Sequence, residues 1–337
     1  MGSFTSAGGR GLVTAAVDPA TGALTVLGAT DAVADPSYLA LAPGGQFLYA
    51  VSETDRGAAA AFDTADALPR PLGEPVPVGG GSPTHLTLVG GHLVAANYGS
   101  GSVTVLPLRA DGTPDQPSCV LHHHGSGPDE SRQEGPHAHQ VLPDPTGRWV
   151  LSVDLGTDSV RVCALAADTG TLSVRAEVAL RPGTGPRHLA FHPAGTYAYI
   201  VNELMPTLTV CRWKAATGAL TPLSEVSLLP DPPEGPSYAS EVVVAPDGRF
   251  LWVANRGHDS ISVFALSDGG ARPELRTTVP CGGHWPRDLA LDPAGRRLYA
   301  ANERSGDVTW FDIDPETGVP QRAGSVEAPA ASCVVFG

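Results

Sequence analysis

The chain has 337 residues, 42% of them hydrophobic and 17% charged, with a formal net charge of −14. That balance argues against a nucleic-acid partner, which needs a basic face, and no apolar run approaches the roughly 20 residues that cross a bilayer. The five cysteines (Cys119, Cys163, Cys211, Cys281, Cys333) are odd in number, far apart and form no C-x-x-C pair, so neither a disulfide framework nor a zinc site is expected.

Met1 to Arg10 is polar and Gly-rich, without the apolar stretch of a secretion signal, and a reducing cytoplasm is the expected compartment. The N-terminal segment offers Gly2-Ser-Phe4, a strand over 11–17, a turn at Ala20-Thr-Gly22 and a strand over 24–27. From there one pattern repeats. Pro36, Pro83, Pro136, Pro186, Pro236 and Pro286 stand 47, 53, 50, 50 and 50 residues apart, and each opens a unit, blades one to six below. In each unit an inner strand leads through a turn, Pro-x-Gly in the clearest copies, to a second strand such as 197–201, 251–254 or 298–301. A third strand follows, as at 260–266, then a turn such as Ala216-Thr-Gly218 or Glu316-Thr-Gly318 and an outer strand. Glycine supplies the positive φ of such turns. Four-stranded units of this length are propeller blades.

The last segment, Ala331-Ser-Cys-Val-Val-Phe336, matches an inner strand and then stops. The expectation is an all-β fold: one seven-bladed β-propeller over residues 1–337. Its seventh blade would take an inner strand from the C-terminus and the others from the N-terminus, leaving no exposed edges. A monomer is favoured.

Inner strands line a propeller's channel, and the turn glycine sets their register. Counting eight residues back gives Ser37, His139, Arg187, Ser240 and Arg287, with Thr84 in the shorter second blade. The ends of the second strands give Glu53, Asn97, Asp154, Asn202-Glu203, Asn255-Arg256 and Asn302-Glu303 at the same mouth. The repeated Asn and Asp are expected to cap loops. Arg187, Arg256 and Arg287 clustered in an acidic chain suit an anion, because each guanidinium forks onto carboxylate or phosphate. His137 and His139 could share one strand face, but no third ligand is placed, and the run His122 to His124 falls on an outer strand or the loop after it. Neither a metal nor a cofactor is expected.

Several stretches together resemble the propeller lactonase family, which contains 6-phosphogluconolactonases and carboxy-muconate cyclases. They are Pro136-His-Ala-His-Gln140 with Asp154-Leu-Gly156, and Gly185-Pro-Arg-His188 with Asn202-Glu-Leu204. Asn255-Arg-Gly-His-Asp-Ser260 and Pro286-Arg287 with Asp314-Pro-Glu-Thr-Gly318 continue the pattern. The resemblance implies hydrolysis of a small anionic sugar lactone, 6-phosphogluconolactone foremost, with His139, Arg187 and Glu203 as the catalytic group. His137, Arg256, Arg287 and Glu303 are the expected substrate-binding residues. In this reading Glu203 activates water, Arg187 holds the oxyanion and His139 protonates the leaving oxygen, with the roles of Glu203 and His139 open to exchange. The alternatives are a muconate-type cyclase using the same groups and a non-catalytic interaction propeller. The sequence departs from the family in a short N-terminal strand and a polar, Pro/Gly-rich loop over 126–135.

Overall fold

The computed structural model describes residues 1–337 and is built from β-strands, with two 3-10 turns as its only helical segments. No helix is long and apolar enough to cross a membrane. Five sheets have four strands each and one has five, and they begin at the six repeated prolines or just after them. Blade four is representative, with antiparallel strands Pro186–Phe191, Tyr197–Asn202, Thr207–Lys214 and Ala219–Ser227. The turn glycines that set the register adopt left-handed backbone, as at Gly195 (φ 68°) and Gly295 (φ 63°). The fold is a β-propeller.

Blade one departs from the expected four clean strands. Its outer strand is split into Arg70–Pro71 and Val76–Pro77, both pairing with Ala58–Asp63. Prolines at 69, 71, 75 and 77 withhold N–H donors, so no continuous ladder can form there.

The terminal segments form two short sheets. Gly2–Ser3 pairs with Ala331–Cys333, and Leu12–Val17 pairs with Leu24–Thr30. Met1 links them: its amine donates to the Val13 carbonyl at 2.9 Å and its carbonyl accepts from the Val13 N–H at 2.9 Å.

The apolar core lies between blades rather than at the centre. One cluster joins Leu151, Val153 and Val162 of blade three to Ile200, Trp213 and Leu220 of blade four, and similar clusters join each of the other successive pairs from one to six. Two further clusters flank the terminal strands. Leu12, Val33 and Cys333 pack on Leu48 and Phe62 of blade one, while Ala331, Met1 and Phe336 pack with Tyr299 and Trp310 of blade six. With the apolar side chains spent between blades, the channel is left to polar ones.

In blades two to six the inner strand carries a β-bulge at its mouth end. The bulge omits Thr84, His139, Arg187, Ser240 with Glu241, and Arg287 from the one-to-one register. Two residues then oppose one, and the bulge re-aims side chains that a regular pleat would alternate. These residues bond from blade to blade. The Thr84 hydroxyl donates to the His139 carbonyl at 2.9 Å, the Ser240 hydroxyl to the Pro286 carbonyl at 2.6 Å, and Arg187 Nη1 to the Ser240 carbonyl.

Candidate active site

Arg187 comes from the bulged inner strand of blade four, and Glu203 from the turn after that blade's second strand, where its N–H donates to the Gly185 carbonyl at 2.7 Å. Arg256 ends the second strand of blade five, Phe250–Arg256. These three meet directly. Glu203 Oε2 lies 3.2 Å from Arg187 Nε and 2.8 Å from Arg256 Nη2.

A third guanidinium completes the clasp, and sequence reasoning missed it. Arg132, on the 126–135 loop, places Nη2 2.6 Å from Glu203 Oε1 and 3.4 Å from the Tyr98 hydroxyl. The loop is well braced. Asp129 accepts from the N–H groups of Ser131 and Arg132, and fully buried Gln133 donates to the Leu155 carbonyl at 2.8 Å. The polar composition of that insertion was the available signal, but nothing in the repeat fixes where an inserted loop points.

Glu203 is 4% exposed. Burial alone would raise its pKa, but Arg256, Arg187 and Arg132 outweigh it and hold the carboxyl at about 2. Such a carboxylate is charged at neutral pH and a weak acceptor of a proton from water.

His139 differs. It is 5% exposed, and its ring lies 5.1 Å from that of His188 and 5.6 Å from that of Tyr98, with Nδ1 buried and without a hydrogen-bond partner. Burial first, then the charge of Arg187, keeps its pKa well below the usual imidazole range. The ring is therefore neutral near pH 7, with a lone pair open to a proton although burial and Arg187 lower its basicity.

The remaining expected residues form the rim. Arg287 sits between Glu303 at 3.1 Å and Glu53 at 3.6 Å, its guanidinium over the Phe4 ring. Arg256 and Arg287, expected as free anion holders, are thus already paired with carboxylates. His137 stacks on Tyr98 at 4.4 Å and places Nδ1 2.9 Å from the Tyr98 carbonyl. His123 spends its Nδ1 on Asp154 at 2.6 Å, in a network closed by Arg161, rather than joining His137 and His139.

Sequence counting also missed a second polar tier, at the residue after five of the six ring positions; the sixth, Gln140, accepts the Leu189 N–H through its Oε1 at 2.7 Å. Tyr38, His85, His188, Glu241 and Asp288 lie deeper in the channel. His188 Nδ1 is 2.7 Å from Glu241 Oε2, and Asp288 Oδ2 accepts the Val334 N–H at 2.8 Å. Burial pushes both carboxyls upward, and they lie side by side. Two consecutive polar residues in a buried strand were the available sign of the bulge that presents both. Beside Arg187, His188 and Glu241 the channel narrows to a volume of about 10 Å³, one water molecule in size. A cavity of about 640 Å³ lies elsewhere. It runs between the terminal strands and blade one, and its lining is mostly apolar, Leu12, Leu41 and Leu48 among it, with none of the expected site residues.

Against known proteins, residues 1–336 match the family model described as lactonase, 7-bladed beta-propeller. The 6-phosphogluconolactonase of Bacillus subtilis is 33% identical, covering 100% of this chain and 97% of its own. That of Pectobacterium carotovorum is 32% identical over 89% of this chain and 87% of its own. Among solved structures, the periplasmic gluconolactonase of Pseudomonas aeruginosa superposes with a TM-score of 0.91 at 30% identity, covering 98% of this chain and 96% of that one.

Proposed function

The chain belongs to the seven-bladed β-propeller lactonase family, and on that premise we propose that it hydrolyses a small anionic sugar lactone, 6-phosphogluconolactone foremost. The observation that carries the reading is the clasped Glu203: a buried carboxylate that fixes Arg132, Arg187 and Arg256 beside a neutral His139.

His139 takes a proton as water adds to the lactone carbonyl, and Arg187, helped by Arg256, holds the oxyanion that develops. Collapse of the tetrahedral centre breaks the ring C–O bond, and the imidazolium returns its proton to the departing oxygen. The product is a hydroxy acid, which ionises. Glu203 acts as the counterion that orients the guanidiniums. His137, Arg287 and Glu303 border the rim against which the substrate's hydroxyls rest.

In the same proposal the terminal strands form the seventh blade, and residues 1–337 make one closed unit. The two apolar clusters flanking those strands and the Met1–Val13 bonds support this. Free cysteines, four of them buried, suit the cytoplasm.

Turnover in water enriched in oxygen-18 tests the chemistry. Hydrolysis at the acyl carbon puts one heavy oxygen into the product carboxylate. A cyclase-type reaction consumes no water and gives an unlabelled product.

A further inference from the structure

We propose that Arg304, stacked on Trp285, is the subsite that reads a phosphate monoester on the substrate; this rests on the lactonase reading above. Arg132, Arg187 and Arg256 are committed to Glu203, and Arg287 to Glu53 and Glu303. Arg304 is exposed, pairs with no carboxylate, and lies in the turn directly after Glu303. Its five N–H donors are open to a planar fork onto phosphate oxygens.

Arg304 is also held in place. Its guanidinium lies 3.4 Å from the centroid of the Trp285 ring, and its backbone N–H donates to the His284 carbonyl at 3.2 Å. The same indole carries the Arg256 guanidinium at 5.6 Å. One ring therefore spans from the clasp around Glu203 to the open guanidinium, and Tyr238 flanks it at 6.0 Å. An anionic tail held by Arg304 would then share this indole with Arg256 of the clasp.

The backbone at Trp285 supplies an independent argument. The residue before the repeat proline, or before Ala331 in the C-terminal strand, takes positive φ in several units, and there it is Asp35 (45°), Ser82 (48°), Gly185 (58°) and Ala330 (52°), all small or short. Trp285 holds φ 67° at the equivalent place. A bulky side chain there is strained, and strain of this kind gathers at functional sites. Asp259 fixes the position by accepting the Trp285 N–H at 2.8 Å, and its other oxygen is spent on His284. Glycine or serine would satisfy the turn; the indole is what the turn does not need.

The test compares wild type, Arg304→Ala, Trp285→Leu and Arg276→Ala. The last removes a distant arginine that pairs with Glu274 on the outer strand of blade five. Steady-state hydrolysis of 6-phosphogluconolactone and of gluconolactone is measured, with calorimetric titration of the stable products 6-phosphogluconate and gluconate. Arg304→Ala should lower the preference for the phosphorylated lactone by at least ~10-fold, through KM rather than kcat, as loss of a charge-assisted contact demands. It should weaken 6-phosphogluconate by a similar factor. Trp285→Leu should lower both in the same direction, and Arg276→Ala should change neither. An Arg304→Ala protein that keeps the wild-type preference and the wild-type affinity for 6-phosphogluconate overturns the subsite. If wild type hydrolyses neither lactone, yet binds 6-phosphogluconate in an Arg304-dependent way, the hydrolytic reading fails and the subsite stands.

Discussion

Glu203 keeps a charge that its burial opposes, and its three guanidiniums depend on it in turn. Glu203→Gln leaves Arg187 and Arg256 buried without a counterion, a type of loss that costs about 3–5 kcal/mol. Because the folded pKa is depressed from 4.5 to about 2, the contribution is present above pH 4.5 and is lost as pH falls toward 2. Urea unfolding should therefore show a deficit for Glu203→Gln at pH 7 that closes across that interval; a deficit independent of pH would speak against the clasp. Glu241 has the opposite sign. Burial raises its folded pKa, so its contribution is present below its ordinary range and is lost as pH rises through the folded value. Glu241→Gln should gain on wild type in the same assay between pH 5 and pH 8. The ring residues His139 and Arg187 were legible because a turn glycine fixes the count to them. Arg132 was not, since its place depends on an inserted loop, and His188 and Glu241 were hidden by a bulge that strict alternation does not include.

The strands themselves were legible for a different reason. Repeated prolines, turn glycines and apolar second strands state the same unit again and again, so errors in one copy are corrected by the others. The repeated asparagines, expected to cap loops, serve structure in another way, as braces between strands. Asn202 donates through Nδ2 to the hydroxyls of Thr207 and Thr209, both at 2.9 Å, and Asn255 does the same with Ser260 and Ser262. Each ties the end of a second strand to the third. Asn202→Ala breaks two of these bonds in a buried site, and a loss of about 1–3 kcal/mol is expected from the urea midpoint. The same change at Asn255 should cost a similar amount, because the brace belongs to the blade rather than to the reaction. The outer strand of blade one was less legible: four prolines between residues 69 and 77 interrupt a ladder that the repeat alone implies.

At the scale of the whole molecule, closure is what the proposal requires of the termini. Val334 donates to Asp288, Phe4 donates to the Ala330 carbonyl at 3.1 Å, and Ala331 and Phe336 pack with Tyr299 of blade six. Removing 331–337 exposes that cluster, frees Asp288 and opens the ring, so cooperative thermal unfolding should be lost; a truncated chain that melts like the full one contradicts closure. The acidic chain leaves its mouth rich in arginine, which is where the proposal puts an anionic substrate and its charged product. The most direct test of the central claim is a pH-stat assay of 6-phosphogluconolactone with wild type and His139→Gln. The expected result is one proton released per lactone well above the spontaneous rate for wild type. For His139→Gln, kcat should fall ~10²- to 10⁴-fold with the melting temperature little changed. Wild type no faster than spontaneous hydrolysis, or His139→Gln as fast as wild type, would contradict it.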